Sequence, residues 1–84
     1  AAAKSALYGG RWGEARRRYD AWLAVEPGDV EARLERAQLF DRLGEPVRAR
    51  DAYAAVAAQF GPNPTAAAAA ARIDRRERVA ADLF

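Results

Sequence analysis

Apolar residues recur along this chain at helical spacing, and glycine and proline interrupt them at intervals. Trp12, Ala15, Tyr19, Trp22 and Leu23 follow the i, i+3, i+4, i+7 rule of one buried face, which predicts a helix from about Arg11 to Val25. Pro27-Gly28 ends it, and Asp29 is placed to cap the next helix, about 30–43, with Val30, Leu34, Ala37, Phe40 and Leu43 inward. Gly44 stands where a helix wants a left-handed residue at its C-terminus. Glu45-Pro46 opens a further helix carrying Ala49, Ala52, Tyr53, Val56 and Phe60 inward until Gly61-Pro62 breaks it. Asn63 and Pro64 then start a long last helix, about 65–83, running through Ile73, Glu77, Ala80 and Leu83. A short helix over residues 1–8, ended by Gly9-Gly10, precedes them all. The connections are short, which makes neighbouring helices antiparallel. No strand pattern of period two is sustained anywhere.

These elements repeat. A shift of 34 residues carries Ala3, Gly10, Ala15 and Tyr19 onto Ala37, Gly44, Ala49 and Tyr53, and a second shift carries Ala37 onto Ala71. With a small residue in the first helix of each hairpin, glycine at its turn, alanine and an aromatic in the second helix and a proline after it, the chain resembles tetratricopeptide repeats. The closest segment is GGRWGEARRRYDAWLAVEPGD. The resemblance implies an all-α fold, with antiparallel helix-turn-helix hairpins stacked as a short right-handed superhelical solenoid and a long C-terminal capping helix. It divides one domain, residues 1–84, into a truncated first repeat (1–29), one complete repeat (30–63), and a capping helix or divergent third repeat (64–84). Four features depart from the family pattern. Trp22 and Val56 stand where a small residue usually packs, Arg33 and Arg36 replace apolar residues, Pro62 comes one residue late, and Asp74 replaces an aromatic. At the expected register, Ala15→Leu and Ala37→Leu should both overpack a hairpin contact.

Composition narrows the chemistry. Eighty-four residues form at most one small domain. The chain has no Cys and no His, so it lacks the thiolate, the commonest metal ligand and the commonest general base. Its six Asp residues are scattered among arginines, and no phosphate-binding Gly-rich loop ends in Lys-Ser/Thr. No catalytic, cofactor or metal site is therefore expected. The net charge of +2 is too small for a polycation, and no apolar run is long enough to span a bilayer. Nor is there a signal-peptide pattern. Thirteen of the fourteen basic residues are Arg, which with the alanine content suggests a GC-rich, bacterial genome. The absence of an initiator Met suggests a fragment, a processed product or the ordered part of something longer; the compartment is left open.

The resemblance implies a non-catalytic adaptor that binds a peptide or protein partner in a concave groove lined by the first helix of each hairpin. Those positions are Lys4, Leu7 and Tyr8, then Glu31, Leu34, Gln38, Asp41 and Arg42, then Thr65, Arg72, Arg75 and Arg76. Gln38, Arg42, Arg72 and Arg76 are the polar contacts and Leu34 and Tyr8 the apolar anchors. The asparagines of the family's carboxylate-gripping members are not reproduced. The alternative for Arg72, Arg75, Arg76 and Arg78 is a solvated helix face. A second reading is a structural subunit held by its end faces, or self-associating through them, near Ala3, Ala6 and Leu7 and near Leu83-Phe84. A nucleic-acid contact through Arg16, Arg17 and Arg18 ranks last, because three consecutive helical residues fan through about 300° and form no single patch. Tyr8, Trp12, Tyr19, Trp22 and Tyr53 could form an aromatic cage, but their spacing favours core packing.

Overall fold

The structure, a computed structural model, describes residues 11–83. The expected helix over residues 1–8 lies outside them, as do Lys4, Tyr8 and the N-terminal end face. Among the described residues four helices follow one another: α1 (Arg11–Val25), α2 (Val30–Arg42), α3 (Pro46–Phe60) and α4 (Pro64–Asp82). The chain is an all-α helical repeat, with no strand among the described residues.

Local chemistry explains where each helix begins and ends. The Asp29 side chain accepts the Ala32 N–H at 3.0 Å, and the Asn63 side chain accepts the Ala66 N–H at 2.9 Å. Each satisfies an amide that a helix start leaves unpaired. Proline occupies the first position of α3 and of α4, where its missing N–H costs nothing. At the end of α2, Gly44 turns left-handed (φ 78°) and donates its N–H to Asp41 O, while the Glu45 N–H returns to Phe40 O. That pair of bonds is a Schellman closure. Glu45 makes no side-chain cap for α3; its carboxylate is held instead by Arg16 at 3.1 Å and Arg48 at 3.6 Å.

The core is shared by three helices. Ala37 and Phe40 of α2, Ala49, Tyr53 and Val56 of α3, and Ala66, Ala69 and Ile73 of α4 form one buried cluster. Ala37 and Ala49 are both fully buried, and their small side chains let the backbones approach closely. α2 packs most extensively on α3, α3 nearly as much on α4, and α1 touches α2 more lightly, with no buried residue of its own.

Several inward assignments need correction. Trp22 is 49% exposed and Phe60 43%. Trp22 and Phe60 lie near helix ends and are partly satisfied there: the Trp22 indole N–H donates to Asp29 at 2.8 Å, and the Arg33 guanidinium stacks 5.2 Å over the Phe60 ring. Ala15 is only partly buried. Conversely, Ala32 and Leu39 are buried although no stripe included them. They are seven residues apart on a second face of α2, and Ala32 faces the cleft against α1. A helix flanked on two sides needs a wider apolar arc than one stripe supplies.

The two arginines that depart from the family pattern have work in this packing. Arg36 lies 4.8 Å over the Phe40 ring, and Arg16 and Arg48 approach the same ring at 5.0 and 5.5 Å. The Arg36 Nε sits 2.7 Å from Asp20 of α1, an ion contact whose N–H points off the line, so the buried nitrogen makes no directed hydrogen bond. Arg33 Nε donates to the Pro27 carbonyl at 2.7 Å, fastening the α1–α2 turn.

Candidate partner-binding site

Two open clefts accompany α2, one on each side. The first, about 590 Å³, lies between α2 and α4. Leu34 and Gln38 of α2 face Ala68, Ala69 and Arg72 of α4 across it, and Tyr53 of α3 lies beneath. Tyr53 is nearly buried, and that burial pushes its phenol pKa up, so the hydroxyl stays protonated. Glu31, Pro64 and Thr65 close the end nearest the helix N-termini, and Glu35 stands one turn beyond Glu31. The result is a trough with an apolar floor and polar rims.

The expected groove residues within the described part of the chain divide three ways. Leu34, Gln38 and Arg72 share this cleft, with Glu31 and Thr65. Asp41 and Arg76 do not stand free as ligands. Arg76 grips Asp41 with two nitrogens, at 2.6 and 3.3 Å, and its Nε reaches Glu77 at 3.3 Å. Residues 35 apart in sequence are thereby joined, and α4 is tied back to α2. The Arg76 hydrogen bond, helped by the fields of Arg72 and Arg42, holds the Asp41 carboxyl below its usual range. Arg42 and Arg75 are exposed and stand outside the cleft. Lys4 and Tyr8 lie outside the described residues. Sequence reasoning missed Glu35 and Tyr53. Glu35 sits one turn beyond Glu31 on α2, a spacing that could have found it, whereas Tyr53 belongs to the second helix of its hairpin.

The second cleft, about 1090 Å³, lies between α1 and α2. Trp12, Tyr19 and Trp22 line it, so these aromatics form a partly exposed wall and not a closed core, while Tyr53 is in the core. The Tyr19 hydroxyl donates to Glu35 at 3.0 Å; burial first, and that carboxylate second, raise its pKa. Asp29 is held low by the Ala32 amide and the Trp22 indole.

The Arg16–Arg18 run is divided among faces. Arg16 lies over Phe40 and binds Glu45, Arg18 pairs with Glu14 at 2.8 Å, and Arg17 is exposed. Among the described residues, no cluster of carboxylates could hold a metal ion, and no helix is long and apolar enough to cross a membrane.

A family model of the tetratricopeptide repeat matches residues 6–73. No curated protein and no solved structure matches the chain.

Proposed function

Because the chain belongs to the tetratricopeptide repeat family, whose repeats mediate protein–protein interaction, we propose that it is an adaptor that binds an extended segment of a partner protein in the α2–α4 cleft. On this reading residues 30–63 are the complete repeat and α4 is the cap that supplies the far wall. The carrying observation is the trough itself. Leu34, Ala68 and Ala69 offer apolar surface, Gln38 is exposed, and Arg72 has no carboxylate contact among the described residues. An amide and a free guanidinium beside an apolar floor suit a peptide, whose backbone needs donors and acceptors and whose side chains need a pocket.

The test is peptide display on the folded 84-residue chain, followed by anisotropy titration of the enriched peptides against wild type and Arg42→Glu/Arg72→Glu. Affinity should fall at least about tenfold, equivalent to ~1.4 kcal/mol, with unchanged helical circular dichroism. Equal affinity for both proteins would remove the groove from consideration.

A second reading has its own support. Val79 and Leu83, 55% and 76% exposed, leave the far end of α4 apolar and open, as expected of a structural subunit held by its end faces. Sedimentation separates the two. A folded monomer favours the groove, and self-association that Val79→Glu/Leu83→Glu abolishes favours the end face.

A further inference from the structure

The α2–α4 trough is charge-segregated along its length. Glu31 stands at the end where α2 and α4 begin, and Glu35 one turn further along α2. Among the described residues, Glu31 has no cationic contact and Glu35 is engaged only by the neutral Tyr19 hydroxyl. Towards the other end Arg72 lines the trough, and Arg42 stands one turn beyond Gln38 on α2, past the lining; both act on Asp41 through their fields, yet Asp41 is already taken by Arg76. Arg42 and Arg72 are left without a carboxylate contact among the described residues. Acidic residues near helix starts and basic ones near helix ends are also what the helix dipole favours. That effect falls off within the terminal turn, however, while Glu35 is the sixth residue of α2 and Arg72 the ninth of α4. Their placement calls for another cause.

We infer that the trough takes a bipolar extended segment, with a basic side chain over Glu31 and Glu35 and an acidic one over Arg72 in the trough and Arg42 just past its end. The spacing follows from geometry. Glu31 and Arg42 are separated by about 16 Å along α2 at 1.5 Å per residue, which an extended peptide at about 3.3 Å per residue covers in roughly five residues. Small apolar side chains between the charges meet Leu34, Ala68 and Ala69. The proposal rests on the groove reading above and adds the chemistry of what the groove selects.

The probes are two fluorescein-labelled, C-terminally amidated octapeptides of one composition, Lys-Lys-Ala-Leu-Ala-Ala-Glu-Glu and Lys-Glu-Ala-Leu-Ala-Ala-Glu-Lys, titrated by anisotropy at low salt. The segregated peptide should bind at least about tenfold more tightly, and added salt should narrow the difference. Glu31→Lys should abolish that preference. Glu31→Lys/Glu35→Lys/Arg42→Glu/Arg72→Glu, with both ends reversed, should restore it, because an extended peptide can enter in the opposite direction. Circular dichroism on each variant confirms the fold, and Glu31→Lys, at an exposed position, carries the test if the quadruple variant does not fold. Equal affinity for the two peptides, lost for both in Gln38→Trp where the indole would fill the trough, overturns the bipolar inference and leaves the groove standing. No binding of either peptide at millimolar concentration overturns both.

Discussion

Replacing Phe40 by leucine isolates how much of the fold is held by arginine on an aromatic ring. Phe40 is 2% exposed and receives three guanidiniums at 4.8–5.5 Å from its centroid. Each such contact contributes about 0.5–1 kcal/mol when partly exposed and about 2 when dry. The Arg16, Arg36 and Arg48 side chains are 31%, 33% and 52% exposed and each also touches a carboxylate, so the lower figure applies. The three together come to about 1.5–3 kcal/mol, and the smaller side chain adds about 1 kcal/mol of lost packing. Leucine should therefore cost about 2.5–4 kcal/mol, near the low end of the roughly 4–13 kcal/mol expected for a domain of this length. Urea unfolding followed at 222 nm reads this as a lower midpoint. The decisive quantity is the coupling in a cycle with Arg36→Met, which keeps the aliphatic stem and removes the charge; it should be about 0.5–1 kcal/mol. A coupling of zero, or a Phe40→Leu cost within about 1 kcal/mol, would mean the arginines merely cover the ring.

Ala37→Leu should cost about 1–3 kcal/mol in the same assay, because Ala37 is fully buried in the shared core. Ala15→Leu should stay within about 0.5 kcal/mol, because Ala15 borders the open α1–α2 cleft; equal effects would contradict the packing described. Gly44→Ala should lower the melting temperature, by about 1–2 kcal/mol of backbone strain at φ 78°. Gly28→Ala, with nothing within 4 Å of the added carbon and no positive φ, should raise it by about 0.4–1 kcal/mol, and matching signs would refute the turn geometry. Asp41 and Asp29 are both held below the usual 3.8 in the folded state. Their contribution is therefore present above that value and lost as pH falls through their folded pKa values. The melting temperature should be flat near neutrality and drop in acid, and Asp41→Asn should flatten the acid limb; an unchanged limb would remove Asp41 from the account.

Where the chemistry is local, the chain can be read directly. Asp29, Gly44, Pro46, Asn63 and Pro64 set helix ends through their own side chains and φ preferences, and the 34-residue shift reveals the repeat. What could not be read depends on how the hairpins sit on one another. Asp41 and Arg76 both look like free groove residues until α4 returns to α2 and joins them. Ala32 and Leu39 are buried because α2 has neighbours on two sides, which a single stripe does not encode. Phe60 satisfies the inward periodicity of α3 but falls at its last residue, where Arg33 covers it from outside. In the cleft, Leu34, Gln38 and Arg72 follow from the repeat register. Tyr53 enters from the second helix of the hairpin, and only three-dimensional packing places it there.

The uneven attachment of α1 has a dynamic consequence. It buries no residue and is fastened to its neighbours by Arg16–Glu45, Asp20–Arg36, Tyr19–Glu35 and Trp22–Asp29, whereas α2, α3 and α4 share one apolar cluster. Charged and hydrogen-bonded fasteners weaken with salt or acid far more than buried hydrocarbon does. Opening should then proceed as a sequence of steps, with α1 releasing as its own cooperative unit while the other three helices remain closed. In a stacked array, nearest-neighbour terms decide where melting begins. The amide protons of α1 would exchange with solvent first, and added salt would shorten their lifetimes while leaving those of Tyr53 and Val56 almost unchanged.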